Sequence, residues 1–124
     1  MIAPGANGLE PVTINETGTR CVVEANWHDS RSRCQMIWQR QAYGVVSVVT
    51  CRKDIPELRV PSVRLPGVAD VVADGGSEVG VPLRVEAHTD GSALLRIGDA
   101  PAIWLTRHQR DTVAYWLRGN SGGR

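Results

Sequence analysis

Residues 21–40 read CVVEANWHDSRSRCQMIWQR, and this stretch decides the fold. Its first seven residues alternate apolar and other side chains with the period of two that is typical of a half-buried strand. The alternation returns after the polar loop HDSRSR, and folding about this six-residue loop makes every pair on one face apolar. The pairs are Trp27 with Cys34, Ala25 with Met36, and Val23 with Trp38. The stretch therefore predicts a β-hairpin.

A helix over residues 33–43 is the alternative interpretation. Ser32 and Gln35 resemble a capping box, and Gly44 resembles a C-terminal stop. Met36 would fall off the apolar helical stripe that begins at Cys34, and for this reason the strand is preferred.

A third strand follows the hairpin. The segment VVSVVTCRK carries β-branched residues on both faces, which predicts a central strand that completes a three-stranded meander. With a four-residue turn over residues 41–44, the thiols of Cys34 and Cys51 become cross-strand neighbours. The predicted pairs are Trp38 with Ser47, Met36 with Val49, and Cys34 with Cys51.

The last third of the chain predicts a second hairpin. PLRVEAH and SALLRIG flank the three-residue loop TDG, with Gly91 in a left-handed conformation. This loop pairs Ala87 with Ala93, Val85 with Leu95, and Leu83 with Ile97. The opposite face then carries polar side chains, with Leu94 as the exception: Arg84, Glu86, His88, Ser92 and Arg96.

A short strand, AIWL, and a helix from about Arg107 to Arg118 end the fold. Thr106 and Gln109 form the capping box of this helix, and Gly119 stops it. Its buried stripe is Val113, Trp116 and Leu117.

The 124 residues fit a single domain, 1–124. We expect an α+β fold of mainly antiparallel sheet, built from the N-terminal meander and the C-terminal hairpin and strand, with one C-terminal helix. Residues 12–14 are predicted to form an edge strand. Segment 54–81 is predicted to be a Pro/Gly-rich connector with little regular structure. Loose tails are predicted at 1–10 and 120–124.

Composition excludes several classes of protein. No run of about 18 apolar residues occurs, and the start MIAPGANGLEP lacks the basic and apolar segments of a secretory signal. We therefore expect a cytoplasmic protein without membrane contact. The net charge of +1 provides no overall field for nucleic acid.

The three cysteines are odd in number, which argues against a disulfide framework and favours reduced thiols. Together with His28, Cys21, Cys34 and Cys51 would make a set of one imidazole and three thiols, but no CxxC pair is present. We predict neither a metal site nor a cofactor.

Side chains that converge on a catalytic site are scarce. Residues 28–30 place a histidine, an aspartate and a serine side by side, whereas triad members meet across a fold. Cys34 with His28 would make a nucleophile and base, but Cys34 is predicted on the apolar face, where a thiol is inert. His88 and Glu86 lie on a solvent face that such residues commonly occupy for solubility alone. No catalytic residue is predicted.

Charge is distributed unevenly along the chain. Segment 66–99 holds six acidic side chains and two arginines, whereas 106–124 holds four arginines and one aspartate. Guanidinium groups bind phosphate and carboxylate well. The candidate binding patch, with an ordinary solvated surface as the alternative, is Arg31, Arg33, Arg40, Arg107, Arg110 and Arg118.

Residues 90–119, DGSALLRIGDAPAIWLTRHQRDTVAYWLRG, resemble the hairpin, short strand and capped helix that end many short, uncharacterised proteins of GC-rich actinobacteria and their phages. The resemblance implies genomic neighbourhood and no activity. The expected function is a small non-enzymatic protein-interaction module, such as a phage or prophage accessory protein that binds a host or virion protein. A nucleic-acid-binding protein that uses the C-terminal helix and first hairpin loop is the alternative. Self-association is a further expectation.

Overall fold

A computed structural model describes residues 12–121. Nine strands form one sheet, and two α-helices lie within the described residues. In chain order the elements are β1 (Val12–Ile14), β2 (Arg20–Trp27), β3 (Arg33–Arg40), β4 (Val46–Thr50), β5 (Leu58–Val60), α1 (Leu65–Asp74), β6 (Gly76–Glu78), β7 (Val81–Ala87), β8 (Ala93–Ile97), β9 (Ile103–Leu105) and α2 (Arg107–Asn120). The mainly antiparallel α+β fold is confirmed, and the prediction of a single helix is wrong.

The strands lie in the order β5-β4-β3-β2-β9-β8-β7-β6, and β1 also pairs with β2. All of these pairs are antiparallel. The N-terminal and C-terminal strands therefore belong to one curled sheet, which is continuous because Asn26 pairs with Trp104 and Trp27 pairs with Ile103.

One face of the sheet, called the inner face, is buried beneath the helices. The helices pack against each other, α2 also contacts β1, β2 and β9, and α1 also contacts β6 and β7. Burial of apolar surface at this interface is the main force that stabilises the fold. Among the fully buried side chains are Trp38, Met36, Leu65, Leu95, Leu105 and Leu117.

The segment 54–81 contains β5, α1 and β6, so it is not the irregular connector that its prolines and glycines predicted. Pro66 lies in the first turn of α1, where a missing backbone N–H costs nothing and the fixed φ favours helix. The buried stripe of α1 includes Leu65, Val68 and Val72. Gly75 ends the helix with a φ of +92°.

The β2–β3 hairpin is confirmed, but its register differs from the predicted one by two residues. Ala25 pairs with Cys34 and Val23 with Met36. The loop is shorter than expected, because the N–H of Trp27 already bonds to the carbonyl of Ser32 at 2.9 Å. A slip of two residues leaves every side chain on its predicted face, which is why the pattern alone did not reveal it.

The β3–β4 register differs by one residue, which does change the faces. Trp38 pairs with Val48 and Met36 with Thr50, because Gln41 and Val45 close a three-residue turn instead of a four-residue one. Ser47 consequently lies on the other face from Trp38. The predicted pairing of Cys34 with Cys51 is therefore wrong, although the two thiols still lie in contact.

The C-terminal predictions are largely confirmed. The three pairs of the β7–β8 hairpin are those expected, Gly91 has a φ of +94°, and AIWL contains β9. The capping box of α2 is present, with the N–H of Gln109 bonded to Thr106 Oγ1 at 3.2 Å. Val113, Trp116 and Leu117 are buried, and the helix continues past Gly119 to Asn120.

The predicted edge strand at residues 12–14 is confirmed as β1, which pairs with β2. Asn120 belongs to α2 and its side-chain amide bonds to the carbonyl of Gly18 at 3.2 Å, so the loose tail predicted at 120–124 is wrong for its first residue. The loose tails predicted at 1–10 and 122–124 lie outside the described residues.

Candidate interaction surface

The face of the sheet that points away from the helices, called the outer face, carries apolar side chains at its centre. No helix or strand within residues 12–121 packs on it. Trp104 of β9 pairs with Leu94 of β8, and both side chains are half-buried. This pairing explains why Leu94 departs from the otherwise polar face of its hairpin. A second apolar row consists of Val22, Ile37 and Val49 on β2, β3 and β4.

The charged side chains of the outer face are mostly arginines. The strand positions that point outward hold five exposed arginines and two glutamates. This face is therefore more positive than the whole chain, whose net charge is +1. The arginines are Arg20, Arg33, Arg59, Arg84 and Arg96, and the glutamates are Glu24 and Glu86.

A groove of about 410 Å³ lies on the outer face beside Trp104. It combines an aromatic surface, a guanidinium, an amide and two imidazoles, which are groups that bind carboxylates and planar side chains. Its lining consists of Asn26, Trp27, His28, Arg31, His88 and Trp104. The groove opens where the β2–β3 loop approaches the end of β7.

The backbone of Arg31 adopts a left-handed conformation, with a φ of +64°. Its N–H bonds to the carbonyl of Trp27 at 2.9 Å, which closes the loop. An arginine in this conformation is less stable than a glycine by roughly 1 kcal/mol. The tight loop thereby holds Arg31 at the wall of the groove.

The six arginines of the sequence-predicted patch do not form one surface. Arg31 and Arg33 lie at the groove end of β3. Arg40 lies at the opposite end of this eight-residue strand, about 23 Å from Arg33, where its N–H bonds to the carbonyl of Thr19. Only the two arginines of the first hairpin loop therefore belong to the outer-face site.

The three arginines of α2 have other partners. Arg118 forms an ion pair with Asp70 of α1 at 2.9 Å, and Arg107 lies 3.9 Å from Asp111. Arg110 is only 6% exposed, so the expectation of an exposed side chain is corrected. Its guanidinium donates to the carbonyls of Val72 and Ala73 at 2.8 Å, and to that of Gly91 at the same distance.

A chain of polar side chains stabilises the β7–β8 turn. Glu86 Oε2 lies 3.6 Å from His88 Nε2, and His88 Nδ1 lies 3.4 Å from Ser92 Oγ. Ser92 is 4% exposed and donates its hydroxyl to Asp90 Oδ1 at 2.6 Å. The backbone N–H of Ser92 donates to the same oxygen at 2.9 Å, and the two hydrogen bonds lower the pKa of Asp90. Because its proton is held by Asp90, Ser92 lacks the geometry of an activated nucleophile.

Two of the three thiols are inaccessible. Cys21 and Cys34 are fully buried, and burial raises the pKa of each to about 12, with a further contribution to Cys34 from the neighbouring Cys51 thiol. Cys51 is exposed. In the described part of the chain, no group of three or more His, Cys, Asp or Glu is arranged to hold a metal ion. His28 and the three cysteines do not converge.

Comparisons of the chain with protein-family models, curated proteins and solved structures found no match. Neither helix within residues 12–121 has the length and apolar character needed to cross a membrane.

A signal for the outer-face site is present in the sequence, although the predicted arginine patch did not use it. Each of the five arginines occupies the outward position of its strand, and the alternation is visible in the sequence for all of these strands except β5, which lies in the segment predicted to be irregular. The position of Trp104 at the centre of the face depends on the pairing of β9 with β2, between residues far apart in the chain. No local pattern predicts that pairing.

Proposed function

We propose that this chain is a small non-enzymatic protein-interaction module that binds an acidic protein surface on its outer face. One observation supports the proposal above the others: half-buried Trp104 and Leu94 lie side by side, among exposed arginines, on a sheet face that no described element covers. Aromatic residues and arginine are enriched at protein interfaces, where they supply most of the binding energy. The excess of arginine over glutamate favours an acidic partner.

A protein fits this surface better than a nucleic acid does. The aliphatic row of Val22, Ile37 and Val49 offers nothing to phosphates, and Glu24 and Glu86 on the same face would repel them. The helix proposed for nucleic-acid binding contributes little free charge, because Arg110 is buried and Arg118 is paired with Asp70. We therefore favour a protein partner, and the experiment described below also tests whether the chain binds nucleic acid.

The resemblance of residues 90–119 to short proteins of actinobacteria and their phages supports a biological setting for this proposal. In that setting, the chain is an accessory protein of a phage or prophage that acts in the cytoplasm, and its partner is a host or virion protein.

Affinity capture from a lysate of an actinobacterial strain, run with and without nuclease, tests the proposal when wild type is compared with surface variants. Trp104→Thr removes the indole and keeps a residue that favours strands, and Arg33→Glu reverses one charge. Tyr115→Ser is the matched control, because Tyr115 is 73% exposed on α2, on the other side of the molecule. All variants should melt near the wild-type temperature.

The expected result is an acidic protein retained by wild type and Tyr115→Ser, and lost or reduced about tenfold with Trp104→Thr and Arg33→Glu. Material that disappears with nuclease would favour the nucleic-acid alternative. Recovery of the chain itself as the only bound species would indicate self-association. Equal capture by all four baits would reject the outer face as the binding surface.

A further inference from the structure

Arg84 of β7 and Arg96 of β8 lie directly opposite each other on the outer face. The N–H of Gly98 bonds to the carbonyl of Pro82, and that of His88 to the carbonyl of Ser92. Hydrogen-bonded and non-hydrogen-bonded pairs alternate along antiparallel strands. Arg84 and Arg96 lie an even number of residues from each of these two bonded pairs, so they also form a hydrogen-bonded pair, with Cα atoms about 5.5 Å apart. Both side chains are exposed and leave the sheet in the same direction.

Two like charges at directly opposed positions destabilise a sheet. Among the described residues no carboxylate lies within the 4.0 Å of an ion pair from either guanidinium. The nearby acids have other partners or lie beyond ion-pair distance: Glu78 pairs with Arg64, Glu86 lies beside His88, and Asp99 stands apart. Within residues 12–121, the Arg96 guanidinium donates only to a backbone carbonyl, that of Ala100, at 3.3 Å. The sheet therefore contains a repulsive pair that a bound anion would neutralise.

The two arginines form the shared wall of two clefts. One cleft, of about 510 Å³, lies between them and Leu94, and the other, of about 420 Å³, extends to Ser77. Ser77 pairs with Arg84 on the neighbouring strand, so a hydroxyl and two guanidinium groups follow one another in a row across β6, β7 and β8. All three are hydrogen-bond donors to oxyanions.

We propose that Arg84 and Arg96 together bind a divalent tetrahedral oxyanion, such as phosphate, either free or as a monoester. Two planar guanidinium forks match the oxygens of such an anion, and its two negative charges balance theirs. Asp99 borders both clefts, Glu86 borders the first and Glu78 borders the second. Their negative charge favours one compact dianion over a polyphosphate or a nucleic-acid backbone. The site shares Leu94 and both arginines with the proposed protein-binding face, but it needs no protein partner, and its test uses phosphate alone.

Thermal melting in phosphate and in chloride at equal ionic strength tests the site. Phosphate also stabilises proteins non-specifically, so the quantity measured is the phosphate-induced rise in Tm of wild type minus that of each variant. Arg84→Gln and Arg96→Gln remove one guanidinium each. Arg59→Gln is the control, since Arg59 is an exposed outer-face arginine that already has a carboxylate partner, Glu57, at 3.4 Å.

In ~50 mM phosphate the Tm of wild type should rise about 2 to 4 °C more than that of Arg84→Gln or Arg96→Gln, and no more than that of Arg59→Gln. In chloride, Arg84→Gln and Arg96→Gln should melt about 1 to 3 °C above wild type, because the repulsion is removed. O-phosphoserine in place of phosphate distinguishes the sources: the same excess rise indicates a monoester, and its loss indicates the free ion. An equal response of all four proteins to phosphate, or destabilised variants in chloride, would overturn the proposal.

Discussion

The guanidinium Nε of Arg110 donates a hydrogen bond of 2.8 Å to the carbonyl oxygen of Val72, in the last turn of α1. The last carbonyls of a helix lack partners within the helix and carry partial negative charge, so a buried cation there stabilises both elements. Arg110 thus joins α2 to α1, and through Gly91 it also joins α2 to the β7–β8 turn.

Replacement of Arg110 should be among the most destabilising changes on α2. Arg110→Met removes every donor and leaves buried carbonyls without partners, and Arg110→Lys replaces a planar fork by one ammonium. We expect Arg110→Met to lower the free energy of unfolding by about 3 kcal/mol, measured by urea titration. Arg107→Met, on the exposed face of the same helix, should change it by less than about 0.5 kcal/mol. Similar losses for the two variants would contradict the structure.

Trp116 should be the most sensitive position of the α2 stripe. It is 3% exposed, and its Nε1 donates to the carbonyl of Gly18 at 2.8 Å. Trp116→Ala should cost about 3 to 5 kcal/mol, and Trp116→Phe should cost less because it loses the hydrogen bond and only part of the volume. A near-neutral thermal shift for Trp116→Ala would show that this packing is wrong.

Alkaline pH should destabilise the fold through its buried thiols. The pKa values of Cys21 and Cys34 rise from 9.0 to about 12 in the folded chain, so above pH 9.0 the unfolded state releases protons that the folded state retains. The contribution of the two protonated thiols to the free energy of unfolding is complete below pH 9.0 and declines as the pH rises toward 12. Within this range the free energy of unfolding should fall by about 1 kcal/mol per pH unit for each thiol.

The double variant Cys21→Ala, Cys34→Ala is the control for this prediction. It should show a shallower decline than wild type at every pH above 9.0, whatever tyrosine and lysine contribute. If the thiols were not responsible, the free energies of unfolding of the two proteins would decline in parallel as the pH rises.

Alkylation should distinguish the three cysteines. Cys51 is exposed, whereas Cys21 and Cys34 are fully buried and their raised pKa values disfavour the reactive thiolate. Iodoacetamide on the native protein should modify Cys51 at least about tenfold faster than the other two, as read by peptide mass spectrometry. Equal rates under native conditions would place the buried thiols at the surface.

The alternation of side chains predicted the strands and faces of both hairpins, whereas turn geometry determined the registers. Arg31 and Tyr43 both have a φ of +64°, a conformation that neither residue type signals in a sequence. These residues tighten the two turns and shift the pairing by two and by one residue. Gly91 does signal its own turn, and the register there was predicted correctly.

The remaining differences have similar physical causes. The prolines and glycines of 54–81 predicted little regular structure, although Pro66 lies in the first turn of α1, where proline favours a helix. Arg110 was predicted in the binding patch with the other arginines of the C-terminal helix, whereas the approach of α1 provides carbonyls that make its burial favourable. Long-range contacts of this kind leave no local pattern.

Photo-crosslinking from the outer face tests the central claim most directly. Trp104→p-benzoylphenylalanine places the photoreactive group at the groove, and Tyr115→p-benzoylphenylalanine places it on the exposed side of α2. After irradiation in lysate with and without nuclease treatment, position 104 should yield a discrete adduct with an acidic protein in both, and position 115 should yield none. An adduct from position 115 alone, or a nucleic-acid adduct from position 104, would contradict the account.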